Sequence, residues 1–503
     1  MDRNLFESLN VPVDDDDDEG LSDEADMSDG EEWLPQDRDA VTRSNSDSSD
    51  SDDTDSAPVY TSMEPVVLDT QPSVSENESE HLTAASTLVE PSTCSPTTVL
   101  GKDKETAWST HPFPEARTPS KNIVKLPKNR TPFTQHVLSP TDAFLLYINN
   151  KMIDDVVEFT NREGRRVKQT AWRDTDAIEM KAFIGCLVHI GAMRQSGSSL
   201  EFIFSAIEGN ALVKASFSLK RFSNLLNHLR FDDKSTRTVR REKDSFAPIR
   251  DLWDSFHGNL AKFYSPGQSI TVDEQLVPFR GRCKFIQYIP SKPDKYGIKI
   301  FWACDAETNY PLRGIPYLGR VTTSHQPRDR SVSVGASTVT SLTQDFHGSG
   351  RNVTCDNFFT DLNLAESLAK KKLTLVGTVK RNKTFLPKDF QEKKALELDA
   401  SNFLFRQDTT LVSYQSKRNK NVILMSTMHN KPEVSENNGK PEIVLAYNKT
   451  KGGVDAMDQM AHAFTVKRKT KRWPLAHPFS VPAVDHELAS PKLPGVHVLR
   501  LET

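Results

Sequence analysis

The run Ser269–Gly281, SITVDEQLVPFRG, limits the choice of fold more than any other stretch. Ile270, Val272, Leu276, Val277 and Phe279 have the character of a strand crossing a core, and Asp273 sits inside it. A carboxylate in such a place is costly unless something compensates it. Its own neighbours leave two readings open, a hydrogen-bonded or salt-bridged structural aspartate and a metal ligand.

The surrounding pattern supplies a fold. Downstream of Gly267, strands are expected at 269–279, 296–305, 310–319, 352–356 and 373–379, with helices near 334–345 and 360–371. Strand, strand, strand, helix, strand, helix is the order of a ribonuclease-H-like α/β core. Residues 380–440 interrupt it with the basic turn KRNK and short β-like runs, which predicts an inserted subdomain. The chain returns at 441–473, where Gly452 and Gly453 precede a helix beginning near Val454.

Upstream, residues 133–268 read as an α-helical domain. Ser139 and Pro140 start an amphipathic helix through Phe144, Ile148, Met152 and Phe159 that is expected to end at Gly164. Further 3.6-residue periods follow in DAIEMKAFIGCLVHIGAM, SLKRFSNLLNHLRFDD and FAPIRDLWDSFHGNLAKFY. Lys220, Arg221, His228 and Arg230 are candidates for a DNA-facing side, against the plainer reading of a solvated helix face.

The net charge of −5 conceals an asymmetry. Residues 1–60 hold 21 acidic and 3 basic side chains, which leaves +13 for the remainder. Residues 1–125 lack periodicity and carry acidic runs such as DDDDDE, so a disordered acidic tail is expected, serving solubility or competing with DNA for the basic domain. The basic remainder suits a polyanionic partner. Cys94, Cys186, Cys283, Cys304 and Cys355 show no metal-ligand spacing, and no run reaches the ~18 apolar residues of a membrane helix. A soluble, intracellular protein of a reducing compartment, with no membrane partner, is the expectation.

Three places put aspartates where a sheet would gather them: Asp273 in the first strand, Asp356 at the end of the fourth, and Asp455 at the start of the last helix, with Asp458 three residues on and on the same helical face. Carboxylates so gathered repel one another and need divalent cations to stay ionised at neutral pH. Two Mg²⁺ ions about 3.5–4 Å apart are the general solution in phosphoryl transfer. Each aspartate alone is weak evidence: Asp305 also follows a strand, and Asp356 could cap a helix.

The segments ITVDEQLVPFRGRCKFIQYIPSKPDKYGIKIFWACD, RNVTCDNFFTDLNLAESL, LTLVGTVKRNK, YNKTKGGVDAMDQM and RKTKRWP resemble the piggyBac transposase family over roughly residues 130–474. The resemblance implies a DDE-type transposase with a ribonuclease-H-like core, an insertion, and a helical dimerisation and DNA-binding domain. It implies catalytic and metal-binding roles for Asp273, Asp356, Asp455 and Asp458, with Mg²⁺ as cofactor and Mn²⁺ admitted in its place. Lys380, Asn382 and Lys383 fall where the family places DNA-contacting residues. The implied activity is strand cleavage and transfer at TTAA sites, with a hairpin on the excised end. The implied partners are double-stranded DNA and a second copy of the chain, in the nucleus.

Past RKTKRWPLA the likeness lapses. Residues 474–503 are Pro-rich and lack cysteine, so they read as a divergent tail, an alternative or read-through terminus in place of closing helices and a zinc-binding module. An alternative function is therefore a domesticated or truncated, non-catalytic DNA-binding protein. A nuclease acting on another nucleic acid shares the core but not the KGGVDAMDQM context.

Overall fold

A computed structural model describes residues 97–114, 123–124, 128–290, 292–319, 333–391, 397–418 and 420–476. The expected acidic tail as far as residue 96, and the expected divergent tail from residue 477, lie outside them.

The first described segment corrects the expected tail boundary at 125. Strands β1 (Thr98–Leu100) and β2 (Ala107–Ser109) form an antiparallel hairpin. Trp108 is 1% exposed, and its Nε1 donates to the Phe385 carbonyl at 2.8 Å. One buried indole thus anchors the segment, a signal invisible against an acidic, Ser-rich background. Trp108→Ala is expected to cost about 3–5 kcal/mol, read as a lowered denaturant midpoint. An unchanged midpoint would mean that the hairpin contributes nothing to the fold.

Strands β3 (Asn129–Arg130) and β4 (Tyr264–Ser265) pair at the two ends of the helical region. Between them run α1 (Pro140–Tyr147), α2 (Asn150–Lys168), α3 (Ala177–Ala192), α4 (Leu200–Ile203), α5 (Ala211–Ser216), α6 (Leu219–His228), α7 (Lys234–Lys243) and α8 (Arg250–Phe263). The single helix expected from Ser139 is two. Ser139 and Asp142 form a capping box, but Asn149 then accepts from the Met152 amide at 3.0 Å and starts α2 afresh. Gly164 does not stop α2. It makes room for Trp172, whose ring would lie 2.1 Å from a Cβ at that position.

The central sheet contains β5 (Ser269–Pro278), β6 (Ile286–Tyr288), β7 (Tyr296–Asp305), β8 (Pro311–Pro316), β9 (Asn352–Cys355), β10 (Thr374–Thr378), β11 (Ser401–Arg406), β12 (Thr409–Lys417) and β13 (Lys420–Ser426). Its order is β1-β2-β11-β12-β13-β10-β9-β5-β7, with β6 and β8 both paired to β7. The β5–β9 and β9–β10 pairs are parallel, whereas β5–β7 and β7–β8 are antiparallel. The protein therefore has a mixed α/β architecture built on one large mixed sheet.

The segment expected as an inserted subdomain extends this sheet. Val376, Gly377 and Thr378 of β10 pair with Ser426, Met425 and Leu424 of β13. Helices α9 (Val334–Leu342), α10 (Leu362–Lys370), α11 (Lys388–Gln391), α12 (Glu442–Thr450), α13 (Gly453–Ala463) and α14 (Trp473–Ala476) complete the chain. Alternation along β10 divides the core: Leu375 joins the main cluster, while Val376 packs with Val412, Leu424, Ile443 and Val444 beneath α12.

Nor does the fold end at 473. Trp473 is buried against Phe246 and Phe285, and Ala476 is buried behind it. Two arginines of the basic run before them point inward, while Lys469 and Lys471 are exposed. Arg468 donates to the carbonyls of Gln195, Ser196 and Ser198, and Arg472 to those of Leu226 and Leu229.

Candidate active site

Two parallel strands place the first two aspartates. Val272 of β5 pairs with Cys355 of β9, so Asp273 and Asp356 follow one step beyond that pair on adjacent strands. Helix α13 lies over β5 and β7 and brings Asp455 near Asp273, and Asp458 to Gln275 two residues further along β5. Gly453 permits that approach: a Cβ there would meet Thr271 Oγ1 at 2.6 Å. Thr271 also donates to the Thr450 carbonyl at 2.6 Å, which ties the end of α12 to β5.

The Asp273 and Asp356 carboxyls are crowded and poorly solvated, whereas Asp455 is exposed. Burial, repulsion from Asp356 and then from Asp455 push Asp273 up to about 7, against the opposing pull of the Glu274 amide and Lys292. Asp356 is also raised, first by burial and also by Glu274, although the Phe358 amide donates to it at 2.9 Å. Lys292 reaches to 3.6 Å from Asp455 and donates to the Glu274 carbonyl at 3.2 Å. Asp458 accepts from Gln275 Nε2 at 2.8 Å and stands 3.9 Å from His462 Nε2.

This donor set fits hard divalent cations. Oxygen ligands predominate, and Asp273 is held in a form whose ionisation the protein opposes, which is the electrostatic condition an added cation would relieve. Among the described residues no three such side chains already converge on a single point. A cleft of about 420 Å³ is lined by Gln275, His462, Asp294, Lys467 and Lys469 among others.

Asp305 is structural. It is fully buried and accepts from Tyr264 Oη at 2.6 Å, Gly267 N at 3.2 Å, Glu307 N at 3.1 Å and Thr308 Oγ1 at 3.2 Å. The two aspartates look alike in sequence and differ in whether donors or carboxylates surround them.

The basic candidates divide. The Lys380 ammonium stands 5.7 Å from the Phe358 ring centre and draws the Asp356 carboxyl down. Asn382 is exposed, whereas Lys383 donates to Asp361 at 2.7 Å beside the start of α10. Of the helical candidates only Lys220 is exposed. Arg221 is engaged by Glu179, the buried Arg230 by Glu163 at 2.9 Å, and His228 is buried against Trp172. For Arg221, His228 and Arg230 neither the candidate DNA-facing side nor the plainer solvated face holds. Arg221 and His228 lie in α6 and Arg230 just past its end; Glu179 and Glu163 come from α3 and α2, a pairing that spacing within one helix does not reveal.

Sequence reasoning passed over Gln275 and Lys292. Gln275 lies two residues after Asp273 and therefore on the same strand face, a usable signal. Nothing in the local pattern marks Lys292.

Comparison with known proteins gives concordant matches. The profile of the family described as Transposase IS4 matches residues 139–481. PiggyBac transposable element-derived protein 3 of Homo sapiens is 22% identical over 361 residues, spanning 67% of this chain and 58% of that protein. The Chimeric ERCC6-PGBD3 protein of Homo sapiens is likewise 22% identical over 361 residues, with 32% of its length covered. The chain thus spans less than two thirds of these curated relatives. A cryo-EM structure of a piggyBac transposase synaptic complex with hairpin DNA is 39% identical with a TM-score of 0.67, over 70% of this chain and 74% of that one.

Proposed function

The chain belongs to the Transposase IS4 family and to its piggyBac line, and from that premise we propose that it cleaves and transfers DNA strands by phosphoryl transfer at TTAA sites. The carrying observation is the crowding of Asp273 by Asp356 and Asp455 on a buried sheet. The strand order β8-β7-β5-β9-β10 supports a ribonuclease-H-like reading of the core.

Asp273, Asp356 and Asp455, with Asp458 beside them, would hold two Mg²⁺ ions. Such ions, when bound, supply a nucleophilic hydroxide at neutral pH and balance charge on the attacking and leaving oxygens. The protein's own groups do the rest. The aspartates set where the scissile phosphate lies, and Lys380 offsets phosphate charge close to Asp356. Water, or a DNA 3′ hydroxyl, forms the new phosphorus–oxygen bond in line as the opposite one breaks; the nucleophile's proton passes to solvent and the leaving oxygen takes one up. The positive balance of residues 61–503 favours phosphate contacts that carry no sequence information, so affinity falls steeply with salt. TTAA choice rests in part on the deformable TA step. Action on transposon ends as a homodimer in the nucleus completes this reading.

A second reading, a non-catalytic DNA-binding protein, is favoured by Lys292, which already stands at Asp455. Incubation of the full chain with TTAA-flanked transposon-end duplexes and Mg²⁺ decides between them. The expected result is nicking at the ends that Asp273→Ala abolishes. No nicking by the wild type, together with salt-dependent binding, leaves the second reading; nicking that survives Asp273→Ala removes the aspartates from the chemistry.

A further inference from the structure

Gln275 makes two hydrogen bonds whose polarity is fixed by its partners. Its Oε1 accepts from Trp302 Nε1 at 2.9 Å, and its Nε2 donates to Asp458 Oδ1 at 2.8 Å. An indole nitrogen can only donate and an ionised carboxylate can only accept, so Trp302 selects one of the two orientations of the amide and thereby aims its NH₂ at Asp458. Both residues are immobilised. Gln275 is 3% exposed, and Trp302 is fully buried on β7, opposite Asp273 and stacked on His257.

Asp458 needs such a hold. It projects from α13 across a helix–sheet interface, with His462 Nε2 3.9 Å away and the Lys292 charge close enough to be felt. Gln275 shares a strand face with Asp273, so one rigid strand carries an aspartate of the cluster and, two residues on, the amide that orients another. Neither Glu nor Leu can replace it. Glu retains the acceptor for Trp302 but sets a second carboxylate against Asp458, while Leu provides neither bond.

We propose that Gln275, clamped by Trp302, is a positioning residue that holds Asp458 in the orientation required for divalent-cation binding. The inference rests on the reading of the aspartates as metal ligands. It assigns no chemical step to Gln275.

The test measures Mn²⁺ binding to the full chain without DNA, by electron paramagnetic resonance of free Mn²⁺, alongside melting without metal. Gln275→Leu, Gln275→Glu and Trp302→Phe are compared with the wild type, with Tyr264→Phe as a control for a lost buried hydrogen bond remote from the cluster. The expected result is a Kd for Mn²⁺ raised roughly 10–100-fold by Gln275→Leu, as for other groups that orient ligands. Gln275→Glu is expected to raise it at least as far and Trp302→Phe less, whereas Tyr264→Phe lowers the melting midpoint at unchanged Kd. Wild-type Kd in folded Gln275→Leu and Gln275→Glu overturns the proposal. If Gln275→Leu does not fold, Trp302→Phe, which keeps Gln275 and every carboxylate, decides it by the same criterion. Absence of Asp273-dependent Mn²⁺ binding in the wild type overturns the metal reading itself, a result distinct from tight binding that ignores Gln275.

Discussion

Asp273→Asn is expected to reduce Mg²⁺-dependent strand cleavage on the order of a thousandfold or more, while the metal-free protein melts no lower than the wild type. The side chains have nearly the same shape, so packing between β5 and β7 survives. What changes is charge. Burial and repulsion from Asp356 and Asp455 lift Asp273 to about 7 in the folded protein, above the ordinary value of an unfolded aspartate. Between those two values the folded state holds a proton that the unfolded state has released. Without metal, the contribution of Asp273 to stability is therefore fully present below its unfolded value and is lost as pH rises towards 7.

Asn carries no such charge, and the gain near neutral pH is on the order of 1 kcal/mol after allowance for solvent screening. Calorimetric melting across pH 4–8 with and without Mg²⁺ is the measurement. The wild type should lose stability relative to Asp273→Asn as pH rises, and Mg²⁺ should stabilise only the wild type. A variant that melts well below the wild type in metal-free buffer would return Asp273 to a structural role.

Asp305→Ala is expected to behave oppositely. Its carboxylate gathers the Tyr264 and Thr308 hydroxyls with the Gly267 and Glu307 amides. The substitution leaves these donors without it inside a fully buried site, at a cost of about 3–5 kcal/mol. The loss should appear as a lower denaturant midpoint or as insoluble protein. At a temperature where the variant remains folded, cleavage per folded molecule should stay within a few-fold of the wild type. A stable Asp305→Ala protein deficient in cleavage would place Asp305 in the reactive site.

The pair shows what could be read in advance. Strands at 296–305 and 352–355, and a helix start at 453, follow closely from period and punctuation, because side-chain alternation and the Gly-Gly pair report local backbone geometry directly. Trp108 in an otherwise polar stretch, Asn149 splitting one amphipathic helix into two, and the three-residue β6 were not legible. Each depends on a partner distant in sequence or on a single side chain that outcompetes the period. The basic residues were the least legible. Arg221, Arg230, Arg468 and Lys383 look like a nucleic-acid surface in one dimension and are engaged by Glu179, Glu163, the carbonyls of 195–198 and Asp361 in three.

The sequence by itself determined the family and much of the succession of strands and helices through the core, and it singled out four candidate aspartates. Motif spacing and hydrophobic period are local properties, and both survive in one dimension. Only the tertiary structure decided that Asp273 is pressed by Asp356 and Asp455 while Asp305 is satisfied by four donors, that the insertion continues the sheet, and that Gln275 spans Trp302 and Asp458. Those are facts of approach between segments as far as 183 residues apart. The energy of a buried carboxylate is set by whatever lies within a few ångströms of it, however far away in the chain that neighbour began.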